Sequence, residues 1–575
     1  MNWKARLHQW QVSENVPSYL KTQIESLNDD ELFDSFYRYL EFGTGGMRGG
    51  IGPGTNRINI VMIRRVTVAL AMYVIENKGE DAGVVISYDN RYYSKEFAHE
   101  TGRVLASFGI KVYLSDFIRP TPIVSFSIRK YKAFAGVMIT ASHNPAQYNG
   151  YKIYNTSGGQ ITLDTANKIS SYLAKIHDET DIHISDSSIS SNLIHTFGED
   201  IDRSYLLALK EVTVNRELIA NNNGIVQIVY TPLHGSGLNL VSKGLQEVGF
   251  KQLFIVKEQA DYDSGFSTVQ TPNPEERGVF DKAIEIGNAV EADLLIGTDP
   301  DTDRLGVAIR DNHDNNAYRL LSGNEIGSLM LYYLANNKHV PNSYVLKTIV
   351  TTDLTYKIAN DFDLNVIDTL TGFKFIGEKI NELEQKNKSF LFGFEESFGY
   401  LVKPFVRDKD AIQAAILMAE IVLFYKLNNQ SVIDVLYEIG EKYGFYKESL
   451  RTMSYKGSEA IQQLADEMNY LRHNYPKKIG ELGVSRIQDY LLGTEYEVAS
   501  GKVMSLKLPK SNVIKIFLED DSWVCIRPSG TEPKSKIYFS ANDPHESNAI
   551  QKLNNIEMKF LSYFNGINEK VKSMN

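Results

Sequence analysis

The chain has 575 residues, which at about 150 residues per domain suggests roughly four domains and excludes a small disulfide scaffold. Its 61 Lys and Arg against 71 Asp and Glu give a net charge of −10, which argues against a nucleic-acid protein built on an overall basic field. With 43% apolar and 23% charged residues the composition is that of an ordinary globular protein with several sizeable cores. Cys525 is the single cysteine, so there is no intrachain disulfide, no CxxC metal site and no supported cysteine nucleophile.

The first sixteen residues, MNWKARLHQWQVSENV, mix charged and polar side chains and lack the apolar core of a secretory signal. No apolar run reaches the roughly 18 residues of a membrane span, and the greasiest helix, from Ala411, is interrupted by Gln413 and Glu420. A soluble, cytoplasmic protein with no membrane and no nucleic-acid partner is expected. Short apolar runs ending in Gly, Asn, Asp or Pro alternate with longer amphipathic stretches, the pattern of α/β layers with largely parallel strands. Strands are expected at Ala82–Ser87, Lys111–Asp116, Ala135–Thr140, Ile225–Thr231, Asp293–Thr298, Ser343–Val350, Ser389–Phe394 and Val513–Leu518. A polar stretch, His177–Asn192, separates a first block from a second, and Asp311–Asn316 separates the second from a third. A helical run from Asp410 to about Tyr475 closes the third block and leads to a strand-rich fourth.

Near the N-terminus, EFGTGGMRGGIGPGTNRIN is Gly-rich around Arg48. It matches neither GK[ST] nor GxGxxG, so nucleotide binding is not indicated; a loop approaching a phosphate through its backbone and Arg48 fits, as does a flexible turn. Next comes AGVMITASHNPAQYNGYKIY, in which a strand delivers Ser142, His143 and Asn144 into a Pro-containing turn, with Lys152 ten residues on. No GxSxG surrounds Ser142. A serine so presented can carry or receive a phosphoryl group beside a cation, although an Asn-Pro turn with a capping serine accounts for the local sequence equally well.

The most distinctive segment is DLLIGTDPDTDRLG, an apolar strand running into Asp299, Asp301 and Asp303, then Arg304. Three carboxylates in five residues repel one another unless a cation holds them, and oxygen-only ligation suits Mg²⁺. An EF-hand fails, because positions 6 and 12 counted from Asp299 are Arg304 and Arg310 instead of Gly and Glu. An aspartyl phosphatase with Asp299 as nucleophile is the rival reading. Further on, DTLTGFKFIG carries Thr371, Gly372, Phe373 and Lys374, and SFLFGFEESFGYLVKPFVRDKD carries Glu395, Glu396, Ser397 and Lys409. Paired acceptors and hydroxyls there suit sugar hydroxyls, though Gly-containing loops are also ordinary connectors. Near the C-terminus, CIRPSGTEPKSKIYF sets Arg527, Ser529, Gly530, Thr531 and Lys534 on a loop between two strands. Arg, hydroxyl and Gly backbone together make a phosphate grip; Pro, Ser and Gly also serve a plain hairpin. Cys525 belongs to a core strand, in phase with Trp523.

TASHNP, GTDPDTDR, FEES and RPSGTEPK, in that order, together resemble the α-D-phosphohexomutase superfamily, and GTGGMRG, TPLHGSG and GFEES look most like its phosphoglucomutase and phosphopentomutase branch. The resemblance implies an α/β fold of four domains around a central cleft, three related α/β domains and a smaller α+β one. On it, residues 1–200 carry the phosphoserine loop, 201–318 the metal loop, 319–450 the sugar loop, and 451–575 linker helices with the phosphate loop. It implies that Ser142 is the phosphoserine and a metal ligand with Asp299, Asp301 and Asp303 around one Mg²⁺. Arg48, Lys152 and His143 would attend the transferred group, and Lys409 would be an acid/base or a phosphate contact. Arg304, the Thr371–Gly372–Phe373–Lys374 loop, Glu395 and Ser397 would bind the sugar. Arg527, Ser529, Gly530 and Thr531 would hold the non-reacting phosphate. The reaction so implied interconverts glucose 1-phosphate and glucose 6-phosphate, with glucose 1,6-bisphosphate as intermediate and activator; pentose and mannose phosphates could use the same machinery.

Overall fold

The strand Val84–Tyr88 is buried along its whole length, as expected of VVISY, an apolar run suited to a parallel strand covered on both faces. The computed structural model describes residues 2–43, 45–184, 191–338, 340–455, 460–528 and 534–574. Three α/β blocks are followed by a C-terminal block built on an antiparallel sheet. By their packing these divide into two compact units, Met1–Leu346 with Gly372–Val432, and Lys347–Thr371 with Ile433–Asn575.

In the first unit, Val84–Tyr88 pairs in parallel with Ala135–Ile139 and with Val112–Ser115. Tyr148–Tyr154 then returns antiparallel to Ala135–Ile139, and Gly46–Gly50 lies antiparallel beyond it. The segment carrying Ser142 is therefore the connection of an antiparallel pair, and register sets Lys152 opposite Met138 and Arg48 opposite Gly150. The polar stretch His177–Asn192 does not simply end this block. Glu179 within it is buried, accepting from Trp10 Nε1 at 2.7 Å and from Tyr39 OH at 2.8 Å, and after it Ile194–Phe197 joins the same sheet beside Val112–Ser115. Trp10 comes from the first of three N-terminal helices, Trp3–Val12, Ser18–Glu25 and Asp29–Phe36, the last opened by an Asn28–Glu31 capping box.

The second block places Leu294–Thr298 parallel to Ile228–Thr231 and antiparallel to Leu305–Asp311, so the aspartate segment is also the turn of an antiparallel pair. In the third, Phe390–Glu395 pairs with Gly399–Leu401 across the Glu396–Phe398 turn. The helix Ala411–Leu427, N-capped by Asp410, is buried on nearly every side, which its all-round apolar sequence requires. Its two polar interruptions are satisfied inside: Gln413 accepts from Lys403 N at 2.7 Å, and Glu420 accepts from Val214 N, Asn215 N and Tyr333 OH. Among the described residues no single helix is long and apolar enough to cross a membrane.

The second unit orders Phe445–Ser454, Lys534–Asp543, Trp523–Pro528, Ile514–Leu518, Leu482–Asp489, Thr494–Glu497 and Val503–Ser505 in one antiparallel sheet, with Ala460–His473 and Glu546–Met574 as helices. The helical run expected from Asp410 to Tyr475 is thus broken by a ten-residue strand, Phe445–Ser454. Gly444, at φ 94°, turns the chain out of the preceding helix, and Lys534–Asp543, distant in sequence, supplies the pairing. Cys525 and Trp523 are both fully buried on the same phase of their strand.

Candidate active site

The serine loop is built by a local conflict. Ser142 adopts φ 53°, a left-handed conformation that most residues avoid, and its amide donates to Thr140 Oγ1 at 2.9 Å. The hydroxyl consequently leaves the sheet: Oγ donates to Asp299 Oδ2 at 2.7 Å and lies 3.3 Å from His143 Nδ1. Burial lowers the His143 pKa well below its ordinary value, with Arg304 and Arg48 adding to the effect. Its imidazole is therefore neutral and able to accept at Nδ1.

The aspartate turn meets the serine from the second block. Asp299, Asp301 and Asp303 are buried, with carboxylate oxygens within 4.8 Å of one another. Asp299 Oδ1 accepts from the amides of Asp303 and Arg304, both at 3.1 Å, while its Oδ2 takes the serine hydroxyl. Both oxygens are thus already engaged, which disfavours Asp299 as a free nucleophile. Asp301 Oδ2 accepts from Thr121 Oγ1 at 2.8 Å and from Lys152 Nζ at 2.7 Å. Asp303 Oδ2 lies 3.0 Å from Lys409 Nζ and 3.5 Å from Lys152 Nζ.

The remaining oxygens, Asp301 Oδ1 and Asp303 Oδ1, are buried without a hydrogen-bond partner among the described residues. Such atoms are costly unless a ligand meets them, and burial with repulsion from Asp301 and Asp303 pushes the Asp299 carboxyl well above its ordinary range. An all-oxygen donor set with orphaned lone pairs and mutual repulsion fits a hard divalent cation. The turn itself is braced by TPLHGSG. Ser236 donates to Pro300 O from its amide at 2.8 Å and its hydroxyl at 2.7 Å, and a Cβ on Gly235 would lie 2.4 Å from Pro300 Cα.

From the third block, Lys409 reaches Asp303 and stands 5.7 Å over the ring of the buried Phe373. Burial disfavours the ammoniums of Lys409 and Lys152, yet their carboxylate neighbours raise both pKa values above the ordinary lysine value, so both are cations at neutral pH. Asp408 holds the next link. Its Oδ2 accepts from Tyr154 OH at 3.0 Å and Gln160 Nε2 at 2.8 Å, and its Oδ1 accepts from Lys409 N at 2.9 Å and lies 3.3 Å from Lys409 Nζ. Leu305 N donates to Phe398 O at 3.1 Å and Arg304 bridges to Gly399, so the aspartate and GFEES turns are joined through the backbone. Glu395, buried opposite Gly399, has its carboxyl pushed up to about 7, first by burial and then by Glu396, against Lys409. Arg304 Nη1 donates to Glu275 Oε1 at 2.5 Å.

Ser142, His143, Lys152, Asp299, Asp301, Asp303, Arg304 and Lys409 are thus connected in one region of the first unit, with Glu395 and Phe373 on the side of Lys409. Arg48 lies on the strand neighbouring that of Lys152, Ser397 is part-exposed in the turn after Glu395, and Gly372 and Lys374 flank Phe373, with Lys374 Nζ 4.9 Å from the Phe375 ring. Thr371, Arg527 and Lys534 belong to the second unit; Ser529, Gly530 and Thr531 lie outside the described residues. Thr121, Ser236, Glu275 and Asp408 are partners of the site not singled out from the sequence. Asp408 and Ser236 had nearby signals, the first as the neighbour of Lys409 in RDKD and the second as a member of TPLHGSG.

Known proteins of the same kind match along nearly the whole chain. Residues 39–180, 203–312 and 322–443 match the family models for phosphoglucomutase/phosphomannomutase α/β/α domains I, II and III. Phosphoglucomutase of Staphylococcus aureus strain MRSA252 is 36% identical over 93% of this chain and 96% of its own, and that of Staphylococcus epidermidis ATCC 12228 is 36% identical over 93% and 97%. In fold, the chain is similar to pp63/parafusin, a phosphoglucomutase of Paramecium, at TM-score 0.67 and 16% identity over 93% of this chain and 95% of that one. A phosphoglucomutase/phosphomannomutase family protein of Burkholderia thailandensis gives TM-score 0.65 at 16% identity, over 92% and 97%.

Proposed function

The chain belongs to the phosphoglucomutase/phosphomannomutase family and is an isomerase that works by phosphoryl transfer, and we propose that it interconverts glucose 1-phosphate and glucose 6-phosphate through phosphorylated Ser142. The observation that carries this reading is the seat of the Ser142 hydroxyl, 2.7 Å from Asp299, at the edge of a buried triad with two orphaned carboxylate oxygens. The sugar rests on the relatives named phosphoglucomutase at 36–37% identity over 93% of the chain.

In the forward step the P–Oγ bond of phosphorylated Ser142 breaks as phosphorus bonds to the free 6-hydroxyl oxygen of glucose 1-phosphate, and the proton that this hydroxyl gives up is matched by the one Ser142 Oγ takes on. Glucose 1,6-bisphosphate results. After it turns over, its other phosphoryl group returns to Ser142 and glucose 6-phosphate departs. Phosphoryl transfer asks for alignment and charge neutralisation more than covalent help. Arg48, Lys152 and Lys409 supply positive charge, and neutral His143 stands 3.3 Å from Ser142 Oγ. Asp299, Asp301 and Asp303, with the phosphoryl on Ser142, would hold Mg²⁺, which when bound draws charge from the phosphoryl oxygens. Glu395 and Ser397 hold sugar hydroxyls beside Phe373, Gly372, Lys374 and Thr371, with Arg304 next to them. Arg527, Ser529, Gly530 and Thr531 grip the distant phosphate.

The test is Ser142→Ala, assayed with Mg²⁺ and catalytic glucose 1,6-bisphosphate. Turnover and acid-stable radiolabelled phosphoenzyme should both vanish. Retained release of inorganic phosphate by the variant would instead indicate an aspartyl phosphatase. A panel of glucose, mannose, ribose and deoxyribose 1-phosphates, compared by kcat/KM, settles the sugar; a pentose or mannose preference would refute the glucose assignment.

A further inference from the structure

Arg91 lies beneath the serine loop, on the segment that follows the strand Val84–Tyr88. It is buried, and its guanidinium gathers the backbone of the loop from within. Nη1 donates to Pro145 O at 2.9 Å and to Tyr148 O at 3.0 Å; Nη2 donates to Ser142 O and Asn144 O. Nε lies 3.4 Å from Asp89 Oδ2, and the Phe266 ring covers the guanidinium at 4.9 Å. Asp89 is fixed in turn, its Oδ1 accepting from Ser94 Oγ at 2.7 Å and from Arg91 N at 3.0 Å.

Four carbonyls converging on one cation have two physical consequences. The left-handed turn at Ser142, unfavourable in itself, is held from both sides, since the carbonyls of residues 142 and 144 share one nitrogen. The negative ends of those peptide dipoles are also committed to a cation, which weakens their repulsion of a phosphoryl dianion on Oγ. A planar fork with five N–H groups can meet such a spread of acceptors, whereas an ammonium with three donors on one atom cannot.

We propose that Arg91 is a positioning residue for phosphoryl transfer: its fork locks the serine loop so that Ser142 Oγ is presented to Asp299 and to the acceptor hydroxyl. The proposal rests on Ser142 being the phosphoryl carrier. Misplacing a reacting atom by about 1 Å can cost about 100-fold in rate, and Arg91→Ala is expected to lower kcat by about that factor with KM for glucose 1-phosphate changed less than about threefold.

The experiment measures kcat, KM, thermal midpoint and labelled phosphoenzyme for full-length wild type, Arg91→Lys, Arg91→Ala and Ser142→Ala, with and without added methylguanidine. Arg91→Lys should fold and still lose at least about tenfold in kcat, because charge alone does not replace the fork. Methylguanidine should restore kcat of Arg91→Ala at least about tenfold without affecting wild type. Wild-type kcat in Arg91→Lys, or a folded Arg91→Ala whose deficit methylguanidine leaves untouched, overturns the proposal. So does an activity loss that only tracks the folded fraction. If Arg91→Ala fails to fold, the kcat of Arg91→Lys decides alone. Labelled phosphoenzyme surviving in Ser142→Ala would locate the error in the carrier assignment instead.

Discussion

Glu395→Gln offers a quantitative test of how the sugar side of the site is charged. Glu395 is 6% exposed and its carboxyl is pushed up from 4.5 to about 7, by burial before any neighbouring charge. In the unfolded chain the same group titrates near 4.5, so between these values the folded protein binds more proton than the unfolded one. Stability therefore falls as pH rises through that window. The loss is negligible below about pH 4 and complete above about pH 7.5, and a difference of about 2.5 units at 1.36 kcal/mol each comes to about 3 kcal/mol. Glutamine does not titrate, so the variant gains that amount relative to wild type on passing from about pH 4.5 to about pH 8.5. For a unit of roughly 400 residues, unfolding entropy at about 2.1 cal/mol/K per residue converts this to a relative shift of about 4 °C. Calorimetric melts of both proteins in EDTA at the two pH values read it directly. A wild-type-minus-variant difference that is the same at both, or that moves the other way, would refute the reasoning.

Asp408→Asn removes the anion between Tyr154, Gln160 and Lys409; a hydrogen bond to a charged group is worth about 1.5–3 kcal/mol, so kcat/KM should fall about 10- to 100-fold, as steady-state kinetics with glucose 1-phosphate will show. Gly235→Ala sets a methyl 2.4 Å from Pro300 Cα and 2.8 Å from its carbonyl oxygen, which must shift the aspartate turn; Mg²⁺ titrations of activity should show at least about tenfold weaker half-saturation, and unchanged Mg²⁺ dependence would mean that the turn is not braced there.

What could be read in the sequence was contiguous. Asp299, Asp301 and Asp303 declare themselves because three carboxylates follow an apolar strand, and the eight expected strands appear within about three residues of their places, since burial leaves short, mostly apolar runs bounded by polar residues. Contacts closed over long separations were not legible. Ser142 meets Asp299 across 157 residues, and Trp10 meets Glu179 across 169, so a stretch that looks like solvated linker turns out to hold a buried carboxylate. Phe445–Ser454 was hidden for the same reason, its pairing partner lying far down the chain. Arg91 had no local mark at all, because its ligands are carbonyl oxygens, which every residue carries.

Arg407, Asp408, Lys409 and Asp410, four consecutive charged residues, are all buried, and each looks to a different place. The Arg407 amide donates to Ser125 Oγ, Asp408 accepts from Tyr154 and Gln160, Lys409 pairs with Asp303, and Asp410 accepts from Tyr205 at 2.7 Å. Three of these charges are thereby answered by two other blocks of the chain, while the Arg407 guanidinium pairs with Glu384 of its own block. Stripping any of those blocks away would strand ions in a dry interior, a debt of several kcal/mol apiece. Those parts of the three α/β blocks that lie in the first unit are therefore bound to melt as one cooperative body. A chain severed in the exposed Asp311–Asn316 turn should yield fragments that are inert apart and regain activity only by reassociating.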